Sequence, residues 1–199
     1  TQPFRPGIYL KYSSIEKTNN IKNVKHPIIR EVLKEEKLFG KSLELTTLAD
    51  IPSGTGLGSS GSFTTALIKA IYFDQKKIIS GWKLAEKACK IEIDKLKEPS
   101  GKQDQYISSY GGVNCFTFKK NGSVNVNTLK ISEKNLNKLE NNLLLFYTGF
   151  TRRSKKILIT QKNNSKSKES EMIKKLDKIK KIGLETKKFL EKGDFDSFA

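Results

Sequence analysis

Leu43, Leu45, Thr47 and Ala49 stand at every second position, as the residues of a half-buried strand do. That run leads straight into Ile51-Pro52-Ser53-Gly54-Thr55-Gly56-Leu57-Gly58-Ser59-Ser60-Gly61-Ser62, the stretch of the chain most crowded with small residues. The pattern then changes. Phe63, Ala66, Leu67, Ala70 and Ile71 recur at helical steps and predict a helix from about Ser60 to Gln75.

Upstream, Ile8 to Tyr12 predicts a strand and Ser13 to Lys25 a polar loop. Pro27 suits the first turn of a helix whose apolar face is Ile28, Ile29, Val32, Leu33 and Leu38. Downstream, Ser80-Gly81 opens a helix of about Trp82 to Lys97. Its stripe is Trp82, Ala85, Cys89 and Leu96, and Glu92 falls on that stripe. Pro99 ends this helix, Ser100-Gly101 turns, and Asp104 stands at the start of a short helix. Gly111-Gly112 makes a tight turn before strands at 113–118 and 124–129, joined through Asn121-Gly122. A short helix is expected at 133–139, a buried strand at 142–148 from the run Leu143 to Tyr147, and a helix at 154–161. Residues 162–169 are polar and read as a mobile connection, with an amphipathic helix from Glu171 to Leu190 after it. Trp82 and the phenylalanines are read as core, and His26 as a capping or packing residue.

The chain of 199 residues carries a formal charge of +17. This raises a nucleic-acid reading. The charge is almost all lysine spread along the chain, whereas base readout favours arginine, so a solvated surface is the better account. No apolar run approaches the ~20 residues of a membrane span. Cys89 and Cys115 are far apart and there is one histidine, which excludes a disulfide framework and a zinc site and points to a reducing cytoplasm.

Glycine reaches positive φ and lets another group approach the main chain. A glycine-rich turn that opens a helix aims several N–H groups at one point, and the helix dipole adds partial positive charge there; that is a phosphate seat. A P-loop would have Lys-Ser/Thr directly after its last glycine, but Gly58 is followed by Ser59-Ser60. A purely structural turn at a strand–helix junction has the same composition, so the glycines alone leave both readings open. Glu92 also leaves two open. It can sit at the edge of its stripe and reach water, or lie buried with a partner or a cation.

The fuller pattern Pro52-x-x-x-Gly56-Leu57-Gly58-Ser59-Ser60 resembles the ATP loop of the GHMP kinases. Those kinases have a glutamate seven residues before a Pro-Ser-Gly turn, with an aspartate soon after. Here Glu92 lies seven before Pro99, and Pro99-Ser100-Gly101 precedes Asp104. Two residues, Lys102 and Gln103, separate Gly101 from Asp104, where mevalonate kinase has one. The run Gly101 to Tyr106, then Tyr110-Gly111-Gly112, Lys25 to Glu31 and Tyr147 to Arg152 are similar to one branch, which phosphorylates D-glycero-D-manno-heptose 7-phosphate.

The resemblance implies an α+β, two-part fold with a left-handed βαβ unit. Residues 1–130 would be the ATP-binding domain and 131–199 the start of a second domain. It implies ATP and Mg²⁺ as cofactors and a small sugar phosphate as acceptor. Pro52, Gly54, Thr55, Gly56, Leu57, Gly58, Ser59 and Ser60 would cradle the phosphates, and Ser60 and Glu92 would hold Mg²⁺. Asp104 would be the base, with Lys102 offsetting charge beside it. Arg152, Gly111 and Gly112 would meet the sugar phosphate. A turn expected before Thr1 and a glycine-rich motif expected after Ala199 make the chain read as the middle of a longer kinase. A fucose- or galactose-type kinase of the same superfamily is the alternative within the class. A non-catalytic basic module that binds nucleic acid is the alternative outside it.

Overall fold

The computed structural model describes residues 4–51, 54–147, 158–161, 163 and 170–199. The chain divides into two compact units, Thr1–Tyr110 with Thr151–Arg153, and Gly111–Phe150 with Ser154–Ala199.

In the first unit, strand β1 (Ile8–Lys11) pairs antiparallel with β2 (Ile15–Thr18) and parallel with β3 (Leu43–Thr46). The sheet order is β2-β1-β3. The parallel register places Ile8 beside Leu43 and Leu10 beside Leu45. Helix α1 (Pro27–Glu35) lies in the connection between β1 and β3. Its start is capped by His26, whose Nδ1 accepts from the Ile29 N–H at 3.4 Å. Helices α2 (Ser59–Asp74), α3 (Gly81–Cys89) and α4 (Gln103–Tyr110) follow. The core is built from Ile8 and Leu10 of β1, Ile29, Val32 and Leu33 of α1, Leu67 and Ile68 of α2, Leu84 and Ala88 of α3, and Ile91. Helices α1, α2 and α3 thus turn their apolar residues inward, which is where most helical stability comes from.

The second unit holds a hairpin of β4 (Asn114–Phe118) and β5 (Val124–Thr128), then α5 (Glu133–Asn141), α6 (Ser170–Lys192) and α7 (Phe195–Phe198). Gly193, at φ 72°, closes α6.

Four expectations are corrected. The polar stretch 13–25 contains β2, hidden because its inward residue is a glutamate, Glu16, and not an apolar one. That carboxylate is tolerated because the Tyr12 hydroxyl and the N–H groups of Lys25 and His26 all donate to it. Residues 143–147 form no strand and are 59–81% exposed, because among the described residues no strand pairs with them. Trp82 is 53% exposed, and Phe39, Phe73 and Phe118 also face outward, so the aromatics are not simply core. The strand expected through Ala49 stops at Thr46. Of the helix expected at 154–161, residues 158–161 are helical and 154–157 lie outside the described residues.

Candidate functional site

The strand-to-helix junction after β3 is built on positive φ. Gly54, Gly56 and Gly58 have φ of 81°, 80° and 69°. Gly58 is the N-cap of α2 and supplies no side-chain cap. By contrast α1, α3 and α5 are each capped by a side chain, from His26, Ser80 and Ser132. The first N–H groups of α2 therefore receive no side-chain acceptor from their own N-cap, at the positive end of the helix dipole. Leu57 and Ser59 line one wall of an adjoining cleft of about 500 Å³. The exit of β3, from Leu45 to Ile51, and Phe63, Ala66 and Leu67 of α2 line it as well. Thr55 is half-buried, and Pro52 lies outside the described residues.

Ser60 is in the first turn of α2, and its Oγ donates to Glu92 Oε2 at 2.5 Å. Glu92 is only 3% exposed. It comes from a π-helical turn, Lys90–Lys95, that continues α3. Such turns insert a residue into the helical register and recur at functional sites. Lys90 and Lys95, the two ends of the turn, both pair with Glu35 of α1, at 2.7 and 2.5 Å. Those two hydrogen bonds hold the Glu35 carboxyl down to about 2. The second oxygen of Glu92, Oε1, is buried and has no hydrogen-bond partner among the described residues. A buried carboxylate oxygen left unpaired is costly, so the site is suited to a cation.

Asp104, in the first turn of α4, closes the arrangement. A Cβ placed on Gly58 would lie 3.4 Å from Asp104 Cγ, and one on Gly61 only 2.9 Å from Asp104 Cβ and 3.0 Å from its carbonyl carbon. Gly61 is what lets the start of α4 lie against the start of α2. Its absent side chain is the sequence signal for this contact, and Gly61 was missed as a site residue for want of a known partner. Ser62 and Ser108 add a hydroxyl contact of 3.0 Å between the same two helices.

Lys102 is placed elsewhere. Its ammonium lies on Glu86 of α3, at 2.9 and 3.1 Å from the two carboxylate oxygens. Gly111 and Gly112, at φ 67° and 66°, make the expected turn, with Asn114 Nδ2 donating to the Gly111 carbonyl at 2.5 Å. Arg152 lies outside the described residues. His26 sits between Tyr12 and Phe63 at ring distances of 4.9 and 5.1 Å, a packing role beside its cap. Among the described residues no three His, Cys, Asp or Glu side chains gather to hold a metal. Mg²⁺ does not need them, because it is commonly bound by one or two carboxylates together with substrate phosphates.

Residues 22–112 match the GHMP kinases N terminal domain, a span that contains the glycine loop, Glu92 and Asp104. A curated relative, the D-glycero-alpha-D-manno-heptose 7-phosphate kinase of Campylobacter jejuni, is 29% identical over 197 residues, 96% of this chain and 56% of its own length. A crystal structure of a D-glycero-D-manno-heptose 1-phosphate kinase from Bacteriodes thetaiotaomicron superposes with a TM-score of 0.80. It is 24% identical and is matched over 100% of this chain and 61% of that one, so it speaks for the fold. A putative sugar kinase from Campylobacter jejuni has a TM-score of 0.75 at 25% identity, over 99% of this chain and 58% of that one. The chain thus spans about 56–61% of the length of the proteins it matches. The α+β architecture expected from the sequence is the one these kinases have.

Proposed function

We propose that this chain is part of an ATP-dependent sugar kinase, and that its acceptor is the anomeric hydroxyl of D-glycero-D-manno-heptose 7-phosphate. The observation that carries the reading is one junction. An uncapped, glycine-rich helix start holds Ser60 against a buried Glu92 with a free carboxylate oxygen, and Asp104 lies against the same turn.

Phosphoryl transfer asks the protein for placement and charge more than for covalent chemistry. In this reading residues 52–60 cradle the phosphates with backbone N–H groups, and the adjoining cleft takes the base of the nucleotide. Ser60 Oγ and Glu92 would hold Mg²⁺, which when bound would offset charge on the phosphates. The Asp104 carboxylate takes the proton of the acceptor hydroxyl; its oxygen bonds to the γ-phosphorus, the bond to the β-phosphate oxygen breaks, and ADP leaves. Arg152 would grip the sugar phosphate in bidentate fashion, with the Gly111-Gly112 turn near it. Residues 1–130 serve as the ATP-binding domain and 131–199 as the start of the second. The reaction belongs in the cytoplasm, where ATP is available, and among the described residues no helix is long and apolar enough to cross a membrane.

The test is ADP release from MgATP over heptose 7-phosphate, heptose 1-phosphate, fucose and galactose, with Asp104→Asn beside the parent chain. Turnover confined to the 7-phosphate, and lowered at least about 100-fold in the variant, is the expected result. Turnover unchanged in Asp104→Asn would remove the base role. Turnover on a different sugar would move the protein to another GHMP branch. No turnover with MgATP still bound would place the acceptor site outside these residues, and no MgATP binding would overturn the reading of the glycine loop.

A further inference from the structure

The side chains that flank Asp104 converge on one carboxylate that takes no part in the site described above. Lys102, just before α4, and Tyr106, inside it, both reach Glu86 of α3. The Lys102 ammonium lies at 2.9 and 3.1 Å from its two oxygens, and the Tyr106 hydroxyl donates to Oε1 at 2.5 Å. The backbone ties the same two residues together, because the Tyr106 N–H donates to the Lys102 carbonyl at 3.1 Å and closes the first turn of α4. Lys102 and Tyr106 are an i, i+4 pair and share one face of that turn. Asp104 lies midway between them, about 200° around the helix from either, and so faces the other way, toward Gly58 and Gly61.

We propose that Glu86 is a positioning residue for Asp104: by holding both ends of the first turn of α4 from behind, it sets where the Asp104 carboxylate stands against the start of α2. The inference rests on the reading of Asp104 as the base. Four features support it. Tyr106 is fully buried, so its hydroxyl cannot exchange Glu86 for water. Burial works to raise the Glu86 carboxyl, yet the hydrogen bonds from Tyr106 and Lys102 outweigh it and keep that carboxyl below its usual range, so Glu86 is an anion at neutral pH. Burial and the bond to Glu86 also push Tyr106 well above the usual phenol range, so it remains a donor. Finally, Glu86 and Glu92 belong to one continuous helical segment, α3 and its π turn. One rigid segment therefore fixes the buried carboxylate at Ser60 with one residue and the stance of Asp104 with another. Lys102 acts in this scheme through Glu86, on the face of α4 away from Asp104.

The experiment compares Glu86→Gln and Tyr106→Phe with the parent chain, alone and combined with Asp104→Asn. Amide hydrogen exchange is read on every sample, and turnover is read with MgATP and the acceptor found in the panel above. Gln keeps the size and one acceptor of Glu86 but loses the charge that holds Lys102; Phe removes only the second arm. In Glu86→Gln, amides of residues 103–106 are expected to exchange about tenfold faster while those of 61–65 are unchanged. Its kcat is expected to fall about 10- to 100-fold, with KM for ATP within about twofold. Tyr106→Phe gives a smaller change of the same form. In the Asp104→Asn background, Glu86→Gln costs no further turnover, because a residue that acts through Asp104 has nothing left to act on. A role in stability alone would instead speed exchange throughout α2, α3 and α4, and would add its loss to that of Asp104→Asn. The proposal is overturned if exchange at 103–106 is unchanged, or if kcat holds in Glu86→Gln while Asp104→Asn abolishes it. A silent Asp104→Asn would sink the base role alone, and exchange at 103–106 would still decide whether Glu86 holds the turn.

Discussion

Residues 4–110 and the described part of 111–199 draw on the same lysine-rich, isoleucine-rich composition, and they bury it to different extents. In the first region Leu10, Ile29, Val32, Leu33, Ile68 and Ile91 are all at most 1% exposed. In the second, Val124, Leu129 and Leu190 are buried, while the five apolar residues from Leu143 to Tyr147 face outward. The difference follows from architecture. A three-stranded sheet with helices lying on it gives each apolar stripe something to cover. A two-stranded hairpin is too small to do so. Ser60, Glu92 and Asp104 all sit on the well-buried region, as positional accuracy demands, because side chains carried by packed helices are held more tightly than those on loops.

The largest effect that would test this contrast is a core truncation. Leu33→Ala should cost about 2–5 kcal/mol in urea unfolding, because it removes a filled site between α1 and its neighbours. Leu144→Ala should change stability by less than about 0.5 kcal/mol. Similar losses for the two would break the comparison. Gly61→Ala comes next, at about 1–3 kcal/mol, since its new methyl would meet the backbone of Asp104 and Gln105 and neither can turn aside. Its turnover should fall with its stability, as α4 is pushed off α2; a variant of parent stability would show that the two helices need not touch.

The ion pairs of Glu35 sharpen the comparison through pH. The folded carboxyl is held down to about 2 by Lys90 and Lys95, against an ordinary value of 4.5. The contribution is therefore complete above about pH 4.5 and is lost as pH falls from there toward 2. Allowing for the exposure of Lys90, Glu35→Gln should cost about 1–2 kcal/mol at neutral pH, and its unfolding curve should approach that of the parent as acid is added. A gap that stays constant down to the acid limit would show that Glu35 matters by shape alone. The smallest effect is a gain. Gly183, in the exposed middle of α6, meets nothing within 4 Å of where a Cβ would stand. Gly183→Ala should stabilise by about 0.5–1 kcal/mol through helix propensity, opposite in sign to Gly61→Ala.

Much of the first region was legible from periodicity. Ile29, Val32 and Leu33 marked the buried face of α1, and Ser80 marked the cap of α3. Strand β2 was not legible, because its inward position is Glu16, whose burial depends on donors from Tyr12, Lys25 and His26. The apolar run at 143–147 misled in the other direction. A run of that kind reads as a strand buried on both faces, but strand and burial both come from pairing, which residues elsewhere must supply. In the site, the glycines, Ser60, Glu92 and Asp104 stood out by residue type and spacing. Gly61 and Glu86 did not, though the structure makes both contacts of Asp104 or of its turn.

The sequence by itself determined what is local: which stretches are helical, and where glycines let the backbone take positive φ, at Gly54, Gly56 and Gly58. These follow from sterics and from periodicity within a few residues. Tertiary structure alone decided which way the carboxylates point. The π turn rotates Glu92 onto Ser60, 32 residues away, and Glu86 meets partners 16 and 20 residues further on. A register shift inside a helix and a contact between helices leave no mark on local spacing. They are set by which packed arrangement buries the most apolar surface while still giving each buried charge a partner.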